Sequence, residues 1–239
     1  MILPLTDSIP SIRRPHAAWG IIAVTAVVFL YQKSLGDPGF TVSVFEFGLV
    51  PQRAMSCERL SGLLTYMLLH GGWWHAISNL WMFWIFADNV EDVMGPWRFT
   101  IFYVLCGIIA GLAHCFVYPE SGVPVVGASG AISGVLGAYF LLYPHARVTT
   151  LVFFLILRLP AALYLGGWFL LQLFSALGEG GSGIAWWAHL GGFVAGMLLL
   201  PLFRTNRPVP HALQRATPPP PPDDPADPWA KYRSKKEAP

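Results

Sequence analysis

The sequence predicts an all-α polytopic membrane protein with six transmembrane helices. Of its 239 residues, 54% are hydrophobic and 12% are charged, and this charged fraction is about half that of an average soluble domain. A helix needs about 20 apolar residues to cross the hydrocarbon core of a bilayer. Six apolar stretches approach this length, at about 17–35, 73–91, 97–118, 129–143, 155–177 and 186–203.

Two of these stretches have irregular ends. Pro144 stops the fourth stretch after about 15 residues, or about 22 Å of helix, so Ser129 is predicted to begin its helix below the membrane surface. In the fifth stretch, Arg158 and Pro160 indicate that residues 149–158 lie near the interface. The membrane-spanning part of this stretch is therefore expected to begin at about residue 160.

The chain divides into three predicted parts. Residues 1–16 form a short cytoplasmic segment, residues 17–204 form the membrane domain, and residues 205–239 form a proline-rich cytoplasmic tail. The tail contains Pro218 to Pro222 and too few apolar residues for a core, so it is predicted to be disordered. It is either a solvated linker or a ligand for a proline-recognition partner.

The positions of the basic residues predict the orientation of the chain in the membrane. If both termini are cytoplasmic, most arginines near helix ends lie on the cytoplasmic side, as expected for a multi-pass protein of the cell membrane. A net charge of +2 gives no support for nucleic-acid binding. The three cysteines have no CxxC spacing, so neither a disulfide framework nor a thiolate zinc site is indicated. The predicted cytoplasmic arginines are Arg13, Arg14, Arg98, Arg147, Arg204, Arg207 and Arg215, against Lys33, Arg53 and Arg59 outside.

Polar residues then converge at one membrane depth. In this topology the second, fourth and sixth helices run the same way, so His75, Ser129 and His189, each near the start of its helix, share the outer level. Ionisable residues within membranes usually face a partner or a cavity. A serine hydroxyl becomes a good nucleophile when a histidine takes its proton. The sequence therefore predicts a dyad of Ser129 and His189, since the acidic residues of the second helix lie at its opposite end.

His75 and Asn79 are the candidate oxyanion-hole residues. They are four residues apart, so on a helix they project from one face, and both can donate hydrogen bonds to a developing negative charge. The backbone N–H of Ser129 is a third candidate donor. Two alternatives stay open: these residues are polar contacts between helices, or His70, His75 and His189 bind a metal ion.

Small residues predict close helix packing. The third, fourth and sixth helices each contain a GxxxG pair, a spacing that allows helix backbones to touch. Considered alone, the Gly127–Gly130 motif around Ser129 is also compatible with packing only. The pairs are Gly107 with Gly111, Gly130 with Gly134, and Gly192 with Gly196.

From about Leu60 to Phe203 the chain resembles the rhomboid family of intramembrane serine proteases. The resemblance implies a six-helix core, Ser129 as nucleophile, His189 as general base, and His75 and Asn79 in the oxyanion hole. It also implies cleavage of single-span membrane proteins within or beside their transmembrane segments, without cofactor, metal or ATP. The motifs that carry it are LHGGWWH at 69–75 with Asn79, NVED at 89–92 with Gly95, Arg98 and Phe99, GASGAISG at 127–134, and AHLGG at 188–192.

Two positions depart from the family pattern. Several rhomboids have an aromatic residue one turn after the nucleophile, where it supports the histidine ring, but this chain has Ser133. We therefore expect either that the ring of His189 is supported from elsewhere or that the dyad is looser. A Trp-Arg pair common in the first outer loop is replaced here by the sequence Cys57 to Leu60, which changes the expected anchoring of that loop.

The resemblance predicts a route for the substrate, and three other functional classes compete with it. A substrate helix is expected to enter between the second and fifth helices, and the glycine-rich segment 178–183 is either a lid or an ordinary connection. A non-catalytic rhomboid-like protein is expected to lack Ser129 or His189. A transporter is expected to show inverted repeats, and an HExxH motif is expected of a metalloprotease; the sequence contains neither.

Overall fold

The computed structural model describes residues 2–178 and 184–205, and most of them are helical. The long helices pack into a bundle, and a small antiparallel sheet lies beside it. The helices are α1 (His16–Ser34), α2 (Gly36–Phe47), α3 (Pro51–Met55), α4 (Gly62–Thr65) with a 3₁₀ turn at Tyr66–Leu68, α5 (Trp73–Met94), α6 (Pro96–Val117), α7 (Ser129–Leu142), α8 (Ala161–Gly178) and α9 (Trp186–Phe203). The strands are β1 (Ile2–Asp7), β2 (Arg147–Val152) and β3 (Leu155–Pro160).

Each of the six predicted apolar stretches contains a helix. Among the described residues, α1, α6, α8 and α9 are long and apolar enough to cross a membrane, and α7 is a shorter apolar helix of 14 residues. Helix α5 has 22 residues but carries Asp88, Glu91 and Asp92 in its last two turns. The chain is thus a mostly helical membrane protein, while the crossing of the bilayer by six helices stays a prediction.

A three-stranded sheet departs from the all-α prediction. Residues 147–160 form an antiparallel hairpin, and the amino-terminal residues 2–7 pair with it in the order β1-β2-β3. The apolar residues 155–160, assigned above to the start of the fifth apolar stretch, are a strand. Short apolar runs have no periodicity that separates a buried strand from a helix. Helix α8 begins at Ala161, which confirms the boundary that Pro160 predicts.

Close backbone contacts hold α7 against α6 and α9. A Cβ atom at Gly130 would lie 2.7 Å from the Cβ of Ala110, which is closer than real Cβ atoms approach. Cβ atoms at Gly192 and Gly196 would collide with the carbonyl oxygens of Gly130 and Gly134. The prediction from the GxxxG spacing is confirmed for the pairs of α7 and α9, whereas Cβ atoms at Gly107 and Gly111 of α6 would meet the side chains of Met67 and Leu49. Helix α7 is the buried centre of the bundle.

The carboxyl-terminal end of α5 fixes the segment that precedes α1. The Glu91 carboxylate accepts hydrogen bonds from the backbone N–H groups of Ala17 and Ala18, at 3.0 and 2.8 Å. These N–H groups belong to the first turn of α1 and have no partner within that helix. Asp92 accepts from the N–H groups of Ile12 and Arg13, at 2.6 and 3.1 Å.

Two predicted segments lie largely outside the described residues. The proline-rich tail at 205–239 is described only at Thr205, whose hydroxyl donates a hydrogen bond to the carbonyl of Val93 at 2.7 Å. The predicted lid at 178–183 is described only at Gly178, which ends α8.

Candidate active site

Ser129 and His189 meet between α7 and α9. Ser129 is the first residue of α7, and His189 lies in the first turn of α9. The His189 Nε2 atom is 2.8 Å from the Ser129 Oγ atom, which is hydrogen-bond distance. The structure therefore brings together the two residues that the sequence predicts as a pair, although 60 positions separate them.

Gln172 holds the other side of the His189 ring. Its Oε1 atom, on α8, lies 2.7 Å from His189 Nδ1. Because an amide oxygen only accepts, Nδ1 carries the proton and donates it to Gln172. The Nε2 atom then presents its lone pair to the Ser129 hydroxyl, which donates the hydrogen bond between them.

Two tryptophans pack near the same ring. The Trp168 ring lies 6.1 Å from that of His189, measured between centroids, and the Trp186 ring lies edge-on at 6.0 Å. Ser133 does not take this role, because its hydroxyl donates a hydrogen bond to the Ser129 carbonyl at 2.6 Å. Ring support thus comes from α8 and the start of α9, as the departure at Ser133 required.

His75 approaches Ser129 from α5. Its Nδ1 atom accepts a hydrogen bond from the Gly71 N–H at 3.3 Å, which leaves the proton on Nε2. A Cβ atom at Gly127 would lie 2.8 Å from that Nε2 atom and 3.5 Å from Ser129 Oγ. Gly127 also has a φ of 129°, a conformation that favours glycine. The glycine therefore lets the histidine donor approach the serine.

Asn79 lies one turn after His75, on the same face of α5. Its Nδ2 atom donates a hydrogen bond to the His75 carbonyl at 2.7 Å, which fixes the side-chain amide. The residue is 6% exposed and lines the same cavity as His75 and Ser129. The second N–H of the Nδ2 group remains as a donor.

His70 packs apart from the serine. Its ring is buried and lies edge-to-face with the His75 ring at 5.1 Å, and its backbone N–H donates to Gln32 Oε1 at 3.0 Å. Burial, with His75 nearby, lowers the pKa of His70 to about 4, so its ring is neutral. Across residues 2–178 and 184–205, no three His, Cys, Asp or Glu side chains are grouped to hold a metal ion.

A cavity of about 970 Å³ connects these side chains. Its walls come from α5, α7 and α8, from the first turn of α9, and from the end of α6 with the segment that follows it. Leu3 and Pro4 of β1 also line it, which no sequence pattern had indicated. Gln172, Trp168 and Trp186 were also missed by sequence reasoning, although a glutamine in an apolar helix is a signal for a polar contact.

The arrangement has the parts of a serine hydrolase centre inside a helical membrane protein. A hydroxyl faces an unprotonated imidazole nitrogen, that imidazole is oriented by a third side chain, and two further side chains offer N–H groups beside the hydroxyl. Triads in soluble hydrolases place a carboxylate in the third position, where this protein has an amide.

Comparison with known proteins identifies the family. The family model for the rhomboid domain matches residues 58–206, and the chain belongs to the rhomboid family. It is 31% identical over 187 residues to the mitochondrial rhomboid protein 1 of Saccharomyces cerevisiae, covering 67% of this chain and 50% of that protein. It is 33% identical over 125 residues to the rhomboid protease GluP of Bacillus subtilis, covering 52% and 24% of the two chains.

A third relative is shorter in its match. The putative rhomboid protease YdcA of Bacillus subtilis is 39% identical over 77 residues, which cover 32% of this chain and 38% of that protein. In these three relatives the match spans half of the protein or less. The rhomboid match includes α5 to α9 and therefore every residue of the site that lies on a helix.

Proposed function

We propose that this protein is an intramembrane serine endopeptidase that cleaves membrane-anchored proteins within or next to their transmembrane segments. The observation that carries the proposal is the 2.8 Å contact between Ser129 Oγ and His189 Nε2 inside an apolar helical bundle. Ionisable residues in such a setting carry a high energetic cost and usually mark a functional site. The relatives named as rhomboid proteases support the same chemistry.

The reaction starts when Ser129 Oγ attacks the carbonyl carbon of the scissile peptide bond. His189 Nε2 takes the hydroxyl proton, and Gln172 stabilises the ring orientation through Nδ1. The carbon–nitrogen bond then breaks, and His189 returns the proton to the leaving amine. Water attacks the acyl-enzyme with His189 again as base, which releases the new carboxyl end and regenerates Ser129.

The negative charge on the carbonyl oxygen is held by donors around Ser129. His75 Nε2–H and the second N–H of Asn79 reach this region from α5. The backbone N–H of Ser129 belongs to the first turn of α7, where helix N–H groups lack intrahelical partners. Preorganised donors of this kind stabilise the transition state more than the neutral substrate.

The proposal includes the membrane arrangement. Six helices, α1 and α5 to α9, cross the bilayer, and both termini are cytoplasmic, which places Ser129 towards the outer face. The substrates are single-span membrane proteins that enter between α5 and α8 and unwind there, because a helix hides its carbonyls in hydrogen bonds. The dyad needs no cofactor, metal or nucleotide for this reaction.

Labelling with a small fluorophosphonate tests the nucleophile directly. The purified protein in detergent is expected to be labelled and to cleave a model single-span substrate, and Ser129→Ala is expected to lose both properties. Ser133→Ala is the matched control, because Ser133 lies one turn along the same helix and lines the same cavity. Retained cleavage by a folded Ser129→Ala protein would contradict the assignment of Ser129 as the nucleophile.

A non-catalytic rhomboid-like protein is the competing function. It predicts binding of single-span proteins with no labelling and no cleavage by the wild-type chain. The contact between Ser129 and His189 favours the protease, since a binding protein needs neither an activated hydroxyl nor an oriented imidazole.

A further inference from the structure

The strand β1 closes the cavity between α5 and α8. Leu3 and Pro4 line the same cavity as Ser129 and His189. Strand β1 contacts α5, and the hairpin of β2 and β3 leads directly into α8, so the sheet connects the two helices. The Pro4 carbonyl accepts a hydrogen bond from the Trp81 indole N–H at 2.7 Å. This strand therefore lines the cavity beside α5, on the route by which a substrate is proposed to enter.

From the cavity, strand β1 and the residues after it run in the same direction as α5 and α7. Pro4 lies beside Trp81, and the Ile9 carbonyl accepts from Asn89 Nδ2 at 3.2 Å, eight residues further along α5. On α7, the Tyr139 hydroxyl donates to the Asp7 carboxylate, ten residues beyond Ser129. Strand β1 is thus an extended segment whose amino-terminal end points to the candidate nucleophile.

The edge of β2 beneath this strand needs a partner. Strand β2 pairs with β3 on one side and with β1 on the other. If β1 left without a replacement, backbone N–H and C=O groups along this edge of β2 would lose their hydrogen-bond partners, which is unfavourable for groups that are not exposed to water. Another extended segment can restore these bonds whatever its side chains are.

The pairing between β1 and β2 is incomplete. Pro4 has no backbone N–H and contributes no donor to the ladder. The register also shifts after it: Pro4 pairs with Thr150 and Thr6 pairs with Thr149, so Leu5 is an additional residue on the β1 side. A segment without a proline and without this bulge would form a more regular ladder on β2 than β1 does.

We propose that the β2 edge covered by β1 is the docking strand for the extended part of a single-span substrate, and that the substrate displaces β1 to reach it. The inference rests on the proposed protease function. The bound segment runs antiparallel to β2, as β1 does, with its amino-terminal side at Ser129. It is an apolar, unwound stretch that follows the scissile bond, and β1 is an internal competitor for the same edge.

A reversible disulfide tests the displacement. Leu3 and Leu151 are directly paired across the two strands, a separation at which cysteines can bond. In a Cys57→Ser background, oxidation of the Leu3→Cys/Leu151→Cys protein is expected to abolish cleavage of a single-span substrate. Labelling of Ser129 by a small fluorophosphonate should persist, and reduction should restore cleavage.

The matched control shares one of the two cysteines. Leu151 also pairs with Ile156 of β3, so oxidation of Leu151→Cys/Ile156→Cys fixes β3 to β2 and leaves β1 free. This protein is expected to cleave equally well when oxidised and reduced. Full cleavage by the oxidised Leu3/Leu151 pair would overturn the inference. Absence of both labelling and cleavage in the wild-type protein would instead overturn the protease function.

Two further measurements test whether β1 competes with the substrate for the edge of β2 or only blocks its entry. Pro4→Val adds a donor to β1 and is expected to raise KM for the substrate without changing kcat, while Pro10→Val, in an exposed position outside the strand, should change neither. In a Ser129→Ala background, single cysteines along the substrate should form disulfides with Leu151→Cys at every second position. A helical period of three to four would contradict docking as a strand.

Discussion

Gln172 Oε1 lies 2.7 Å from His189 Nδ1, so the imidazole beside Ser129 is oriented by a helix that carries neither residue of the pair. Helix α8 also borders the opening filled by β1. Any displacement of α8 that breaks this contact would release the ring of His189. The orientation of the proposed base is therefore linked to the position of the helix beside the proposed entrance.

Loss of this hydrogen bond should slow the reaction. Gln172→Leu is expected to lower kcat by about tenfold, because one hydrogen bond contributes about 1–1.5 kcal/mol. KM for a single-span substrate should change little. Phe174→Leu is the control, since Phe174 lies on the same helix and is 67% exposed. Equal rates for Gln172→Leu and the wild type would show that the tryptophans alone hold the ring.

The contact between α7 and α9 should tolerate no added carbon. Gly196→Ala is expected to destabilise the fold by about 1–3 kcal/mol, the usual cost of overpacking, because its Cβ would collide with the Gly134 carbonyl. Thermal unfolding in detergent measures the change. Gly167→Ala on α8 is the control, as nothing lies within 4 Å of its added carbon. A melting temperature equal to that of the control would contradict the close packing.

The Glu91 carboxylate should contribute to stability rather than to chemistry. It is 4% exposed and accepts two backbone hydrogen bonds from the start of α1. Glu91→Ala is expected to cost about 2–3 kcal/mol, seen as a lower melting temperature, with fluorophosphonate labelling retained below it. Glu46→Ala, which removes an exposed ion pair with Arg59, should leave the melting temperature unchanged. Equal melting temperatures for the two variants would contradict the role of Glu91.

Asp7 should make the docking of β1 depend on pH. Burial raises the pKa of its carboxyl from 3.8 to about 6, and the hydrogen bond from Tyr139 offsets part of that rise. The other ionisable groups that interact with it are Asp88 and Tyr143. A raised pKa means that the docked strand favours the protonated acid. The docked state is therefore most stable below pH 4 and becomes less stable as pH rises through 6.

A nitroxide label at Thr6→Cys, in a Cys57→Ser background, reports this change. The mobile fraction of the label is expected to rise between pH 4 and pH 7 in the protein with Asp7, and to stay constant with Asp7→Asn. Thr6 is exposed, so the label does not disturb the packing. An identical pH response in both proteins would assign the effect to another group.

The helices could be predicted because their length, apolarity and ends depend on residues that are adjacent in the sequence. The length and apolarity of each stretch predicted a helix, Pro160 predicted the start of α8, and the GxxxG pairs of α7 and α9 predicted close backbone contact. The sheet could not be predicted in this way. Its pairing joins residues 2–7 to residues 147–152, and neither segment has a period that identifies its partner.

Some residues of the candidate site could be predicted from the sequence, and Gln172 could not. Ser129, His189, His75 and Asn79 could be placed together because each lies near the start of a helix, and helices with one direction bring their starts to one level. Gln172 lies in the last two turns of α8, which runs the opposite way, so the same reasoning did not reach it. The roles of these five residues in catalysis are proposals, and Ser129→Ala and Gln172→Leu test two of them.

The glycine contacts between α7 and α9 have a consequence for how the molecule can move. Where two backbones already touch, the helices cannot approach further, and separating them would open a void along the centre of the bundle. Ser129 and His189 are therefore carried by a single stiff body. The sheet and α8 lie outside this body, so a change in their position leaves the backbones of Ser129 and His189 at a constant spacing. The orientation of the His189 ring still depends on α8 through Gln172.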